Sequence, residues 1–456
     1  MGNVLDQPDN RLTPYPASSL RELLYLSSPL ILSFFSASFM GFCSRLFLSH
    51  YSLDALQGCT CAIYLCTLFQ HPCMKLAASA QVFVGLFKGS NTLDRIGEYI
   101  WQMIWFSFLS MILTIPLGLC FVPSFFEGSA IKQSGLSYFN VLLFANFLFP
   151  LGTALSCFYI GQGKTKIIFF TTFITHTINI LLDLILIFGI KGVISPLGAT
   201  GAAISTALSQ AFFCFVLLIL FLRKKERQAF GSGNYRFKWG SFWECTRTGF
   251  PRALARVFTL TAWAAIVHIM TFKGGDYLIV LSIGGTLMLL FSFINDGMLQ
   301  GMITIASTLI GAKNYAGIWK MVRSSFLFLV ITTLVLSIPY LLYPEVTLSF
   351  FSLEPINDST LQLLKRSFLW LWIFFFCYGF CAIGLSLITA SQDIYFYLSI
   401  IGFVWLTSYV PAHFSMNVWH WPADSIWLIM AFDSLIFGTI FLWRASKESW
   451  KVYNRI

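Results

Sequence analysis

Charge is scarce in this sequence. Of 456 residues, 29 are Lys or Arg and 19 are Asp or Glu, together 11%. A soluble domain carries roughly a quarter charged residues, so this chain lacks the polar surface to cover a water-soluble globule. A soluble enzyme, a disordered chain and a nucleic-acid-binding protein are thereby excluded. Catalytic patterns are missing too. No GxxxxGK[ST] phosphate loop, HExxH zinc pattern, CxxC pair or nucleophile elbow occurs. No enzymatic activity, resident cofactor or metal is expected. The eleven cysteines are odd in number and lie mostly within apolar runs, so they read as packing residues and form no disulfide framework. The opening MGNVLDQPDNRLTPYP has no apolar core, and no cleavable signal peptide is expected.

Apolar residues are abundant: 57% of the chain, with a mean hydropathy of +0.76. Apolar runs of about 20 residues or more recur along the whole length, the pattern of a polytopic all-α membrane protein. Twelve spans are expected near 23–48, 54–88, 97–122, 137–162, 167–190, 198–222, 249–272, 277–310, 321–343, 366–390, 394–416 and 425–443. With both termini placed in the cytoplasm, twenty Lys and Arg fall in inside loops. Five fall outside: Lys132, Lys191, Lys273, Lys365 and Arg366. That is the positive-inside bias, and it accounts for the net charge of +10. The expected organisation is a cytoplasmic N-terminal segment (1–22), a six-helix bundle (23–222), a basic cytoplasmic linker (223–248), a second six-helix bundle (249–443) and a basic tail (444–456). A plasma (inner) membrane location follows.

The two halves resemble each other. Gly89-Ser90-Asn91 follows span two and Gly311-Ala312-Lys313 follows span eight, each glycine having an isoleucine seven residues on (Ile96, Ile318). The next spans carry Ile115-Pro116 and Ile338-Pro339. Gly161-Gln162 and Ser391-Gln392 follow spans four and ten. A six-span repeat returns to its starting side, so the copies are expected to be related by a pseudo-two-fold axis along the membrane normal, around a V-shaped cleft. That is the build of an alternating-access transporter, and a monomer suffices for it.

Four stretches give the sequence a resemblance to the multidrug and toxic compound extrusion (MATE) family. Pro29-Leu-Ile-Leu-Ser33 leading into Met40-Gly-Phe-Cys-Ser-Arg45 resembles the family's first span. Asn179-Ile-Leu-Leu-Asp183 resembles its fifth, Gly198 to Thr206 the start of its sixth, and Gly311-Ala-Lys-Asn-Tyr315 the exit of its eighth. The resemblance implies export of small organic, often cationic and amphipathic compounds, driven by an inward proton or sodium gradient. It also implies bending of the first helix during transport, with Pro29 as the hinge. One departure concerns coupling: the family's usual aspartate near the outer end of span one is Ser44 here, and 249–272 and 367–390 contain no Asp or Glu.

Asp183 is the sole acid of span five. An ionisable group in hydrocarbon costs about 2.5–3.5 kcal/mol on insertion scales, so it is expected to face a cavity. By helical spacing Thr172, His176, Asn179 and Asp183 share a face. The expected coupling-ion site comprises Asp183, Asn179, Thr200 and Ser44, with protons favoured over sodium because the set supplies little charge. A purely structural polar cluster is the alternative. His176, Thr172 and Thr206 are candidates for a proton relay or cavity lining. Lys75 and Asp296 lie at nearly equal depth in spans two and eight, and their opposite charges suggest an inter-lobe gate; two independent groups in a watery cleft would explain them equally. Arg252 and Arg256, which begin span seven, are explained by snorkelling to the cytoplasmic interface or by contact with an acidic substrate. Trp405, Trp419, Trp421 and Trp427 read as an interfacial belt. Two transport functions remain open, a gradient-driven exporter of organic molecules and a flippase for lipid-linked precursors; a membrane-embedded enzyme or scaffold is the third class. Expected partners are the organic substrate and membrane lipids, with no nucleic acid.

The topology is directly testable. In a cysteine-free background, Gly233→Cys is expected to react with an impermeant maleimide in inside-out vesicles, and Lys191→Cys in right-side-out vesicles. The opposite pattern inverts the orientation.

Overall fold

The computed structural model describes residues 12–129, 131–349 and 358–447. Residues 1–11 of the expected N-terminal segment and 448–456 of the expected tail, with Arg11, Lys451 and Arg455, lie outside the described residues. Among the described residues the secondary structure is helical, apart from one isolated bridge between Ile190 and Ile194. The helices are α1 (Leu20–Tyr51), α2 (Leu53–Ala77), α3 (Ala80–Gly89), α4 (Ile96–Phe125), α5 (Lys132–Phe144), α6 (Leu148–Gly161), α7 (Thr165–Phe188), α8 (Gly198–Phe221) and α9 (Lys224–Phe230). They continue with α10 (Trp239–Lys273), α11 (Gly275–Gly311), α12 (Tyr315–Ser337), α13 (Pro344–Ser349), α14 (Asp358–Ala390), α15 (Ile394–Ile401), α16 (Val410–His413) and α17 (Ser425–Ser446).

Among the described residues ten helices are long and apolar enough to cross a membrane, or eleven when α5 and α6, bent by 45°, count as one. The place of the expected second span is taken by α2 and α3, which break at Ala78–Ser79. This stretch does not qualify by apolarity because α2 carries Asp54, Gln57, Gln70, His71 and Lys75. Proline explains other irregularities. Pro339 lies in a π-helical segment, Ile338–Leu342, and Pro411 follows another, Trp405–Tyr409. A proline withdraws one amide donor from the ladder, and a single wide turn lets the chain pass that gap. The expected eleventh span is therefore a succession of α15, π turns and α16 rather than one helix.

The chain divides into two compact units, Leu32–Arg256 and a second that runs to Ile31 and resumes at Val257. These limits differ from the bundle boundaries expected at 222 and 249, because they fall inside α1 and α10. Packing explains the difference. Ser27 and Ile31 of α1 lie against Gly301 and Gly297 of α11, where an added Cβ would stand 2.4 Å from Ser27 Oγ and 2.5 Å from Ile31. Gly249 of α10 lies against Leu76 of α2 in the same way, 2.6 Å from its carbonyl oxygen. The first turn of α1 is closed by a capping box: Ser19 Oγ accepts from the Glu22 amide (3.2 Å), and the buried Glu22 carboxylate accepts from the Ser18 amide (2.6 Å).

In the Leu32–Arg256 unit the core joins Leu48, Ala55, Cys59, Ala62, Tyr138, Phe139, Ile187 and Ala202. Small residues set the helix spacing, as membrane packing favours: Gly58 meets α5 at Ser134–Gly135, and Gly201 meets the Leu186 carbonyl of α7. The linker is not a free tether. It folds into α9 and the start of α10, and between them its backbone is held along α4. Trp101 Nε1 donates to the Ser232 carbonyl (2.8 Å), Trp105 Nε1 to that of Tyr235 (2.9 Å) and Gln102 Nε2 to that of Arg236 (3.1 Å). In the other unit α14 is central, packed against α11, α12 and α17. Its contact with α17 is close because Gly438 faces Cys381 and Gly384 faces Phe441. Trp427 is a core side chain here, fully buried beside Trp263 in space left by Gly284, so it does not belong to the expected interfacial belt.

The sequence repeat has a structural counterpart in the turns. Asn91, Gly163, Lys313 and Gln392 all have left-handed φ (60°, 81°, 56° and 57°). After each, an amide reaches back five residues: Thr92 to Phe87, Lys164 to Tyr159, Asn314 to Leu309 and Asp393 to Ile388. The same Schellman-type cap thus closes all four helices.

The α7–α8 contact yields a prediction. A Cβ at Gly201 would stand 2.5 Å from the Leu186 carbonyl oxygen, and backbone cannot swing aside. Gly201→Leu is expected to cost about 1–3 kcal/mol, seen as a lower melting temperature of the purified protein. An unchanged melting temperature would contradict this packing.

Candidate functional site

The candidate site lies within the Leu32–Arg256 unit, where α1, α7 and α8 meet. Asp183 and Asn179 of α7 are fully buried. The Asp183 carboxylate is met by three donors. Ser44 Oγ of α1 donates to Oδ2 at 2.5 Å, and Ser205 Oγ of α8 donates to Oδ1. Oriented by its neighbours, the Asn179 amide donates to Oδ2 (3.3 Å) and accepts from the Thr206 amide (3.2 Å). One carboxyl therefore ties three helices together. An acid taken out of water requires such donors.

Each hydroxyl also has an acceptor on its own helix. Ser44 Oγ lies 3.1 Å from the Met40 carbonyl, and Ser205 Oγ 2.9 Å from that of Ala202. A hydroxyl holds one proton, so each serine can bridge to α7 or turn back on its own helix. The first choice makes a bond between helices and the second gives it up.

Three of the four expected coupling residues, Asp183, Asn179 and Ser44, come together. Thr200 does not bond the carboxyl; Ser205 takes that place. At 100° per residue the two positions lie about 140° apart around α8, so one helix face cannot present both. Thr206 contributes through its amide, while its hydroxyl bonds the Ala202 carbonyl (2.9 Å). The buried stripe of α7 is Thr171, Thr175, Asn179 and Asp183, one position round from the expected Thr172 and His176. Both of those are half-buried, and His176 Nδ1 lies 2.9 Å from Ser36 Oγ of α1. Pro29 lies inside an unbroken α1, two residues before the unit boundary.

The other charged candidates are placed within their own units. Asp296 accepts from Tyr378 Oη at 2.8 Å. Lys75 lies one turn beyond His71 on α2. Arg256 does not snorkel as expected: its Nε and Nη2 donate to His71 Nδ1 at 3.2 and 2.8 Å. Two residues escaped the sequence reading. Ser205 belongs to a small-residue stripe, Gly198, Gly201, Ala202, Ser205 and Ser209, whose spacing marks a helix face. Asp433 of α17, the lone acid of its span, accepts from Thr407 Oγ1 at 2.5 Å.

Apolar helices enclosing a buried carboxyl define a polytopic membrane protein. Over residues 29–185 the chain matches the family model described as MatE. It is 24% identical over 340 residues to a probable multidrug resistance protein NorM of Thermotoga maritima, covering 74% of this chain and 73% of that one. It also superposes on a MOP superfamily transporter from Pyrococcus furiosus (TM-score 0.82, 15% identity, 97% of this chain and 99% of that one). A second solved structure, an outward-facing multidrug resistance MATE family transporter of the MOP superfamily, gives a TM-score of 0.79 at 15% identity, covering 96% and 97%. The family resemblance seen in the motifs is thus borne out, and the fold is that of the MATE transporters.

Removing a donor from a buried carboxylate costs about 1.5–3 kcal/mol. Ser205→Ala is expected to lower stability by that amount, and by clearly less in an Asp183→Asn background. Equal losses in both backgrounds, measured by denaturation, would show that the serine does not act through the carboxyl.

Proposed function

We propose that this protein is a secondary active exporter of organic compounds, working by alternating access as a proton antiporter. Twelve spans in two pseudo-symmetric six-helix bundles, a monomeric state and a plasma-membrane location with cytoplasmic termini complete the reading. The MatE match and the relatives named as multidrug resistance proteins support it, and that name favours an exporter over the flippase alternative.

The observation that carries the reading is the Asp183 carboxyl, buried and met by Ser44, Ser205 and Asn179. Protonation gives one carboxyl oxygen a hydrogen of its own to donate and removes the negative charge that strengthens the three inbound bonds, so the donors are held less firmly there. Ser44 has an alternative acceptor in the Met40 carbonyl, and turning to it gives up the bond between α1 and the carboxyl of α7. Protonation can thereby loosen the first helix although no acid stands at position 44. Sodium suits the same residues less well. It would need several oxygen lone pairs, whereas the neighbours present hydrogens to a carboxylate that supplies a single negative charge.

In proteoliposomes, an imposed proton gradient is expected to drive movement of a fluorescent organic substrate, and a sodium gradient alone is not. Asp183→Asn, which keeps the shape and removes the titration, is expected to reduce gradient-driven transport at least tenfold with normal expression and melting temperature. Transport that survives the substitution would sink the coupling role, and transport driven equally by sodium would sink the choice of ion.

A further inference from the structure

The linker between α8 and α10 is basic, aromatic and exposed, and the coupling site does not use it. Its backbone runs along α4, a helix of 30 residues and thus about 45 Å long, against a hydrocarbon core of about 30 Å. Even with the whole surplus emerging at its first turn, Trp105, nine residues in, stands at the hydrocarbon edge. The Trp105 indole donates to the Tyr235 carbonyl (2.9 Å), so the linker reaches down α4 to that edge. Just after α9, Gly231 rests on the Asp94 carbonyl, before the start of α4. From Asp94 to Trp105 the two levels differ by about 15 Å.

Side chains are sorted between these levels as a phospholipid leaflet requires, with cations outermost and aromatic rings beneath. Arg223, Lys224, Lys225 and Arg227 line α9 at the outer level. Arg236 lies deeper, where an arginine can snorkel outward. All five are exposed, and none forms an ion pair among the described residues. At the inner level Tyr235 and Trp239 are 65% and 67% exposed. Trp239, Trp243 and Phe250 share one exposed face of α10, opposite the buried Phe242, Cys245 and Gly249. Four acids stand in the linker and in the turns it touches. Glu98 meets Lys238 (2.6 Å), Glu226 meets Lys164 (3.1 Å) and Glu244 accepts from Tyr99 (2.5 Å). The fourth, Asp94, is exposed, one acid against five exposed cations. The linker's bonds to Trp101, Gln102 and Trp105 hold this surface in place before any lipid arrives.

We propose that α9 and the start of α10 form a docking surface for anionic phospholipids, with the five cations on the lipid phosphates and Trp239 and Trp243 in the layer below. Charge complementarity selects the occupant: clustered Lys and Arg beside a membrane-spanning helix attract acidic headgroups over zwitterionic ones. The proposal requires only that α4 and α10 cross a bilayer. It is independent of the cargo, the coupling ion and the orientation in the membrane.

The test uses the purified full-length protein in mixed micelles with equal amounts of phosphatidylglycerol and phosphatidylcholine of the same acyl chains. Native mass spectrometry counts the lipids that stay bound. Phosphatidylglycerol is expected to be retained about fivefold over phosphatidylcholine. Joint Lys224→Gln, Lys225→Gln, Arg227→Gln and Arg236→Gln is expected to lower that ratio about threefold or more. Exchanging Lys for Arg and Arg for Lys at the same four positions is expected to preserve it. Joint Lys132→Gln and Lys191→Gln, at exposed cations remote from the linker in sequence, is expected to leave it unchanged. Equal retention of the two lipids, an unaltered ratio in the four-fold glutamine variant, or the same fall with Lys132 and Lys191 replaced would each overturn the proposal. So would displacement of phosphatidylglycerol by soluble glycerol phosphate, which would mark a site for a free phosphate ester.

Discussion

A carboxyl group without water around it has to be satisfied by its protein neighbours, and this requirement organises the Leu32–Arg256 unit. Asp183 has no exposed surface, so its oxygens must collect donors from the helices beside it. α1 supplies Ser44, α8 supplies Ser205, and α7 supplies Asn179 from one turn away. The close approach this needs is provided by small residues, Gly201 against the Leu186 carbonyl above all. A larger residue there would move α8 and take Ser205 out of reach. The site is thus a consequence of backbone proximity as much as of side-chain chemistry.

Charge within this unit is sorted by sign along α2. The acid acts near one end of the helix and the cations gather near the other, with apolar residues and cysteines between. Opposite charges allowed to meet in so apolar a setting would lock together.

Much of this was legible in the sequence because hydrocarbon permits few solutions. Apolar runs marked most of the helices, and a lone acid in span five marked the site. Ser44, Asn179 and Asp183 were legible because their depth and helical spacing can be counted. Ser205 was overlooked because Thr200 is a more conspicuous polar residue, although five positions turn it well away from the carboxyl. The stripe on α7 was misplaced by one residue for a similar reason: histidine draws attention, yet Thr171 and Thr175 are the buried pair. Span two failed as an apolar run because it carries Asp54, Gln57, Gln70, His71 and Lys75, of which His71 meets Arg256 of α10. The linker's attachment to α4 was beyond reach, since it runs through backbone carbonyls that any sequence possesses. The limits of the compact units were hidden for a related reason, because glycine contacts between distant segments leave no periodic trace.

Those limits bear on biosynthesis. The opening turns of α1 belong with a body whose remaining residues begin at Val257. At about 5–20 residues per second, the ribosome needs on the order of ten to forty-five seconds to travel from the first segment to the start of its packing partners. Throughout that interval the chain's earliest helix waits in the bilayer with Ser27 and Ile31 uncovered, and the newborn protein depends on lipid, or on the insertion machinery, to chaperone that stretch until α11 arrives.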